Sequence, residues 1–342
     1  MQRIRLAVVG LNFGSWIIEN ELLQGAGLAT MVIVAVCDID AQKVAKWSTQ
    51  LGVPGYTDIA DVLAQPDVQA VGLFTGPVGR AGLIRQIITS GRDVMTTKPF
   101  DGDVVAAQQV LAEACAQRRV VHLNSPAPTL PVDLAQLTTW QKEYDLGQPI
   151  AYRATTWCSY REQPNGSWYD DPLLCPAAPL FRLGIYLIND IGWFFAHVVH
   201  VDLLQSRIFT QRPTADNAQL SVLYANGAIG SIYASFCIDD QQYYRCALEL
   251  NFERGTLYRN VGPMAVENNQ IQLAVVAVKE GKQQITQTVV PSQGAGYQWE
   301  EFQRAILQQQ GTSQAYADRI VAGLQIIAGM QQANSDAIVR GM

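Results

Sequence analysis

The sequence predicts an α/β chain in two domains, a doubly wound parallel sheet followed by an α+β domain with a large, mainly antiparallel open sheet. Three observations predict it. The 342 residues exceed what one ordinary core organises. Up to Leu123, short apolar runs alternate with helical patterns, the rhythm of βαβ units and a parallel sheet. From Ile150 onward the pattern is strand-like and carries two tight glycine turns, Ala225-Asn-Gly-Ala228 and Glu253-Arg-Gly-Thr256, suited to hairpins. The expected domains are residues 1–123 and 124–342.

The elements follow in order. Ile4–Val9 is an apolar run ending at Gly10, expected to be a buried parallel strand. Gly10-Leu-Asn-Phe-Gly-Ser15 then leads into a helical pattern with Trp16, Ile17, Leu22 and Leu23. Strand, glycine turn and helix form the context of a dinucleotide fingerprint, Gly-x-Gly-x-x-Gly. Here the three positions are Gly10, Asn12 and Ser15, with Gly14 one step early. Asn12 is expected to make the turn because Asn tolerates left-handed backbone. A plain βα turn is the competing reading. Met31–Cys37 is the second strand and ends at Asp38, placed to accept hydrogen bonds from an adenosine ribose. Ile39, Asp40, Ala41 and Gln42 follow without a cation, which favours NAD over NADP.

Helices are expected at 41–51, 58–64, 80–90 and 103–117, with strands at 52–56, 68–74, 94–97 and 120–123. Asp58 is a fitting N-cap. The fourth strand runs into Thr75-Gly-Pro77, and the fifth into Thr97-Lys98-Pro99. Strand ends of an open α/β sheet bind ligands, and Pro99 steers Lys98 toward an extended backbone. Lys98 is a positioned cation or a surface lysine. After a helix over 132–144, strands are expected at 151–159, 201–211, 219–224, 228–238, 244–252, 256–261, 273–278 and 285–290. Terminal helices are expected at 297–309 and 316–334. Within the second domain, a helix over 178–193 places Arg182, Tyr186 and Asn189 on one face among apolar neighbours. That stripe is a solvated face or a cleft wall. Trp168 sits on an aromatic, polar loop before this helix, suited to stacking on a sugar or to packing on its own aromatics.

Charge and composition narrow the partners. A net charge of −6 disfavours nucleic acid and anionic membrane but permits an anionic small molecule. No stretch approaches the ~20 apolar residues of a spanning helix, and the N-terminus enters a strand without a secretory signal. The six cysteines form no C-x-x-C pair, as expected of reduced thiols in a cytoplasm. His197, His200 and Asp202 match no zinc spacing, so no metal is expected.

These residues resemble those of the Gfo/Idh/MocA oxidoreductases. The resemblance rests on Val-Val-Gly10, Val-Cys-Asp38, Thr75-Gly-Pro77, Thr-Lys98-Pro99 and the Gly184-Ile-Tyr186 helix, and spans nearly the whole chain. It implies an N-terminal Rossmann domain and a homodimer or homotetramer joined through the C-terminal sheet. The family's Glu-Lys-Pro motif reads Thr97-Lys98-Pro99 here. Its Asp-x-Gly-x-His-x-x-Asp motif reads Arg182-x-Gly184-x-Tyr186-x-x-Asn189, akin to members with Tyr in place of the catalytic His. The resemblance implies catalysis by Lys98 and Tyr186, with substrate contacts from Arg182, Asn189 and Trp168. Cofactor contacts would come from Gly10, Asn12, Phe13, Gly14, Asp38, Thr75, Gly76 and Lys98. The implied activity is NAD(P)-dependent oxidation or reduction of a sugar, polyol or sugar-acid-like substrate, with NADP the less favoured cofactor. The departures at Thr97 and Arg182 keep open a ligand-binding or regulatory protein on the same scaffold. A redox-neutral, NAD-assisted glycosidase or lyase is a further alternative.

Overall fold

The computed structural model describes residues 2–241, 244, 246–262, 269–292, 294 and 296–339. Two compact units divide the chain: Met1–Thr129 with Ala295–Val321, and Leu130–Gly294 with Ala322–Met342. Among the described residues, no helix is long and apolar enough to cross a membrane.

The first unit alternates as its sequence pattern requires: β1 (Ile4–Val9), α1 (Phe13–Ile17), β2 (Met31–Cys37), α2 (Ala41–Leu51), β3 (Gly55–Tyr56), α3 (Ile59–Leu63), β4 (Ala70–Leu73), α4 (Arg80–Thr89), β5 (Asp93–Thr96), α5 (Val104–Ala116) and β6 (Val121–Leu123). Helix α1 continues as a π-helical segment over Ile18–Leu22 rather than as one uniform helix. Asp40, Asp58 and Asp103 each accept backbone N–H groups at the start of α2, α3 and α5, satisfying donors that a helix end leaves open. The six strands are all parallel, in the order β3-β2-β1-β4-β5-β6. Strand order therefore reverses beside β1, and the carboxyl ends of all strands share one edge, where such sheets take ligands.

The second unit comprises α6 (Val132–Glu143), β7 (Pro149–Trp157), a 3-10 turn (Trp168–Asp170), a π-helical segment (Leu180–Gly184), α7 (Ile185–Ile191), β8 (Val198–Ser206), β9 (Asn217–Tyr224), β10 (Ile229–Ser235), β11 (Ala247–Phe252), β12 (Gly255–Arg259), β13 (Gln270–Lys279) and β14 (Lys282–Pro291). Its sheet runs β14-β13-β12-β11-β7-β10-β9-β8, antiparallel except for the β7–β10 pair. Tyr152, Leu220, Ile232, Leu248 and Val275 belong to a core with Leu137 of α6 and Phe181 and Leu187 of the following segment. Leu204, Leu223, Ile285 and Val289 remain exposed on the strands. Strand β8 stops at Ser206, short of the expected 211. The Asp216 carboxylate instead gathers the N–H groups of Ile208, Phe209 and Thr210 at 2.8, 2.6 and 2.7 Å, closing a loop where a ladder would continue.

The chain ends with α8 (Trp299–Leu307) and α9 (Gln314–Val339). Residues expected in the second domain here complete the first unit. Trp299 and Phe302 join the core of Ile4, Ile17 and Leu22, and Trp299 Nε1 donates to Glu21 at 2.9 Å. The Tyr316 hydroxyl accepts from Leu123 N and donates to Pro126 O, both at 2.9 Å.

Candidate active site

At the end of β1 the chain turns through Gly10, with φ of +88°. A Cβ at this position would lie 2.8 Å from the Phe74 carbonyl carbon and the Thr75 nitrogen. Only glycine suits both the left-handed backbone and that close approach. Asn12 takes right-handed backbone at φ −72°, so Gly10 and not Asn12 makes the turn. Gly14 N donates to Gly10 O at 3.1 Å. Ser15 stands where the fingerprint has its last glycine; its hydroxyl bonds Leu11 O and receives Trp47 Nε1–H. The Asp38 carboxylate accepts Leu11 N at 2.6 Å and Asp40 N at 2.9 Å, tying the end of β2 to the glycine turn. Each carboxylate oxygen keeps a further lone pair for a hydroxyl donor. Phe13 stacks on Trp16 and meets Phe74 edge-on, and both Phe13 and Trp16 are exposed.

Past β4, the Thr75 hydroxyl oxygen is buried without a hydrogen-bond partner, while Gly76 is exposed. Buried polar atoms are ordinarily satisfied, so an orphan at a strand end fits a ligand-binding edge. Together with the Gly10 turn and Asp38, it fits a dinucleotide. Lys43 Nζ lies 3.3 Å from Asp40, so a cation does stand near this edge, in the residue directly after the stretch 39–42.

Lys98 is half-buried just past β5. Its backbone N–H donates to Asn124 Oδ1 at 3.0 Å. Arg80, at the start of α4 and 1% exposed, donates through Nη1 to the carbonyls of Thr97 at 2.6 Å, Pro99, and Phe100 at 3.4 Å. Its Nη2 bonds Thr75 O. Sequence reasoning gave Arg80 and Asn124 no role. Carbonyls carry no sequence signature, so nothing in the chain's lettering announces a guanidinium that grips them.

In the second unit, the expected helix over 178–193 is a π-helical segment followed by α7. Arg182 faces Glu162 in a bidentate pair at 2.6 and 2.9 Å, with its guanidinium carbon 4.2 Å from the Tyr169 ring centre. Arg212 Nε reaches the same Glu162 at 3.0 Å, and its Nη1 bonds Asp170. Burial works to raise the Glu162 carboxyl, but the bonds and charges of Arg182 and Arg212 outweigh it and hold it below the usual range. Asn189 is buried, and its Oδ1 lies so close to Gly323 that a Cβ there would sit 2.3 Å from it. Trp168 packs on Tyr169 and edge-on to Phe181. Tyr186 is half-buried beside the core. Nearby, the buried Arg259 pairs with Asp133 and Asp190, each at 2.7 Å. Among the described residues, no group of three or more His, Cys, Asp or Glu could hold a metal.

Family models match both parts of the chain: the NAD-binding Rossmann domain of an oxidoreductase family over residues 4–125, and the GFO/IDH/MocA C-terminal domain over 134–258. No curated protein matches the sequence. Similar solved structures include levoglucosan dehydrogenase in complex with NADH, at 16% identity and a TM-score of 0.75 over 98% of each chain. KijD10, a 3-ketoreductase from Actinomadura kijaniata in complex with NADP, shares 17% identity and a TM-score of 0.69 over 98% of this chain and 96% of its own. The WlbA dehydrogenase from Bordetella pertussis, in complex with NADH and UDP-GlcNAcA, shares 13% identity and a TM-score of 0.72 over 98% of each chain. These likenesses are of fold, and they agree with the observed sheet orders. With both of its domains matched, the chain belongs to the GFO/IDH/MocA family of oxidoreductases.

Proposed function

We propose that the protein moves a hydride between NAD and a hydroxyl or carbonyl carbon of a sugar, polyol or sugar acid. The observation that carries this reading is the shared strand-end edge of one parallel sheet, which presents Gly10, Asp38, the orphan Thr75 hydroxyl and Lys98. Gly10, Asn12, Phe13 and Gly14 line the pyrophosphate turn, Asp38 accepts ribose hydroxyls, and Thr75, Gly76 and Lys98 complete the cofactor edge. Asp38 favours NAD over NADP, because a 2′-phosphate would meet a carboxylate. Solved relatives with sugar or sugar-nucleotide names and ligands support the substrate class.

When bound, the nicotinamide accepts or returns the hydride. Lys98 donates a hydrogen bond to the reacting oxygen. Tyr186 takes the hydroxyl proton during oxidation and returns it during reduction. A free tyrosine titrates near pH ~10, so this role for Tyr186 calls for a cation beside the phenolate when substrate is bound. Trp168, Arg182 and Asn189, engaged by Tyr169, Glu162 and Gly323, shape the substrate domain rather than grip the ligand. The exposed apolar side chains of the second sheet favour a homodimer or homotetramer, which light scattering measures.

The test is NAD(H) and NADP(H) turnover across levoglucosan, hexoses, polyols and sugar acids. We expect turnover with NAD, and a loss of about 10²-fold or more in kcat for Tyr186→Phe and Lys98→Met. Cofactor binding without reduction would favour the ligand-binding alternative. Release of an aglycone without net reduction would favour the redox-neutral one.

A further inference from the structure

We propose that Arg80 and Asn124 form the device that positions Lys98, in place of a carboxylate beside the lysine. The inference deepens the reading of Lys98 as the group that touches the reacting oxygen, and rests on it. The geometry encloses the lysine's backbone on both sides. Ahead of it, Arg80 Nη1 holds the Thr97 carbonyl at 2.6 Å; behind it, the same nitrogen holds the carbonyls of Pro99 and Phe100. Through Nη2 the guanidinium also ties this loop to Thr75 at the end of β4. Guanidinium offers five donors in a rigid plane, so one side chain can span carbonyls that a flexible ammonium could not hold together. The remaining backbone donor, Lys98 N, is taken by Asn124 Oδ1 at 3.0 Å, which the Thr97 hydroxyl also approaches at 3.4 Å.

Asn124 is itself fixed. It is buried, and Tyr316 bonds the backbone on either side of it, at Leu123 N and Pro126 O. Lys98 thus leaves a backbone whose direction is settled before any ligand arrives, the condition that catalytic placement requires. Thr97 suits this arrangement. It is buried, and a glutamate there would put an ionised group where a short hydroxyl now shares the asparagine.

The test reads Lys98 directly. The chain has six lysines, so reductive methylation with 13C-formaldehyde gives a sparse NMR spectrum, in which Lys98→Arg assigns the resonance of interest. In Arg80→Met and Asn124→Ala, we expect the Lys98 resonance to lose its distinct position and join those of the exposed lysines, while the other five stay in place. With whichever sugar or polyol of the panel turns over, kcat should fall by about 10²-fold in Arg80→Met, the order set by misplacing a catalytic group, with KM changed by less than about threefold. Arg80→Lys should recover part of that loss.

A purely structural Arg80 would lower Tm and leave both the Lys98 resonance and kcat at their wild-type values, and that result overturns the proposal. If Arg80→Met does not fold, Asn124→Ala decides, because it removes the acceptor shared by the Lys98 N–H and the Thr97 hydroxyl and leaves Arg80 in place. An unmoved resonance in that variant overturns the proposal equally. Unchanged turnover in Lys98→Met would instead sink the catalytic reading of the lysine, while the resonance would still report whether the clamp exists.

Discussion

The loop bearing Lys98 and the helix bearing Arg182, Tyr186 and Asn189 make an instructive pair. In the loop, the residue with a motif is braced by two residues without one, Arg80 and Asn124. In the helical stretch, two residues at motif positions are proposed as braces themselves. Arg182 closes on Glu162, and Asn189 packs against Gly323. A polar side chain at a family position is therefore either a ligand group or a support, and its partners decide which. Charge alone does not separate the cases, since Arg80 and Arg182 are both buried or nearly so, and both hold loops in place.

The largest expected effect that tests this contrast is at Glu162. Its removal leaves Arg182 and Arg212, with side chains only 13% and 7% exposed, lacking a shared counter-charge. Glu162→Ala should cost about 3 kcal/mol in urea unfolding, the order seen when one member of a buried pair is lost. Arg182→Met should destabilise and leave KM for the substrate nearly unchanged. A KM raised tenfold with Tm intact would return Arg182 to the ligand.

A smaller effect separates the two arginine networks by pH. Burial pushes the Asp190 carboxyl up to about 6, with Asp133 adding to the rise and Arg259 opposing it. The folded value lies above the unfolded one, so its stabilising contribution is full below pH ~4 and is lost as pH rises through about 6. Glu162 behaves oppositely: its carboxyl is held low, so its contribution is present above pH ~4 and is lost as pH falls. Asp190→Asn should flatten the stability profile between pH ~4 and ~6 by about 2 kcal/mol, measured by urea midpoints across that range. An unchanged slope would mean that Arg259 keeps Asp190 ionised throughout.

The smallest effect belongs to Asn189. Asn189→Ala should lower stability by about 1 kcal/mol, the order of a typical point substitution, and leave KM within about twofold. A large KM change would make it a ligand group and narrow the contrast to Arg182 alone.

Much of the fold was legible because its signals are local. Strand–helix alternation, the Asp58 cap and the Asn-Gly and Arg-Gly hairpin turns each depend on a few neighbouring residues, and the structure shows them. The family, with its two domain types, was legible from five short motifs. Long-range relations were not. Glu162 and Arg182 lie twenty residues apart, Glu162 and Arg212 fifty, and no spacing rule links them. A π-helical segment over Leu180–Gly184 interrupts the regular turn on which the shared-face argument for Arg182 relied. Asn12 misled for another reason: its tolerance of left-handed backbone was real but unused, because Gly10 had already made the turn.

The return of residues 296–321 to the first unit bears on how the protein is made. A ribosome releases the entire dinucleotide motif within the first 129 residues, yet Trp299, Phe302 and Tyr316 are synthesised near the end. Until they emerge, Ile17 and Leu22 lack part of their cover, and the backbone around Asn124 lacks its hydroxyl clasp. A fragment cut where the motif ends would carry every recognisable cofactor residue and an unfinished core. Shuffling this nucleotide-binding module between proteins would require two crossovers rather than one.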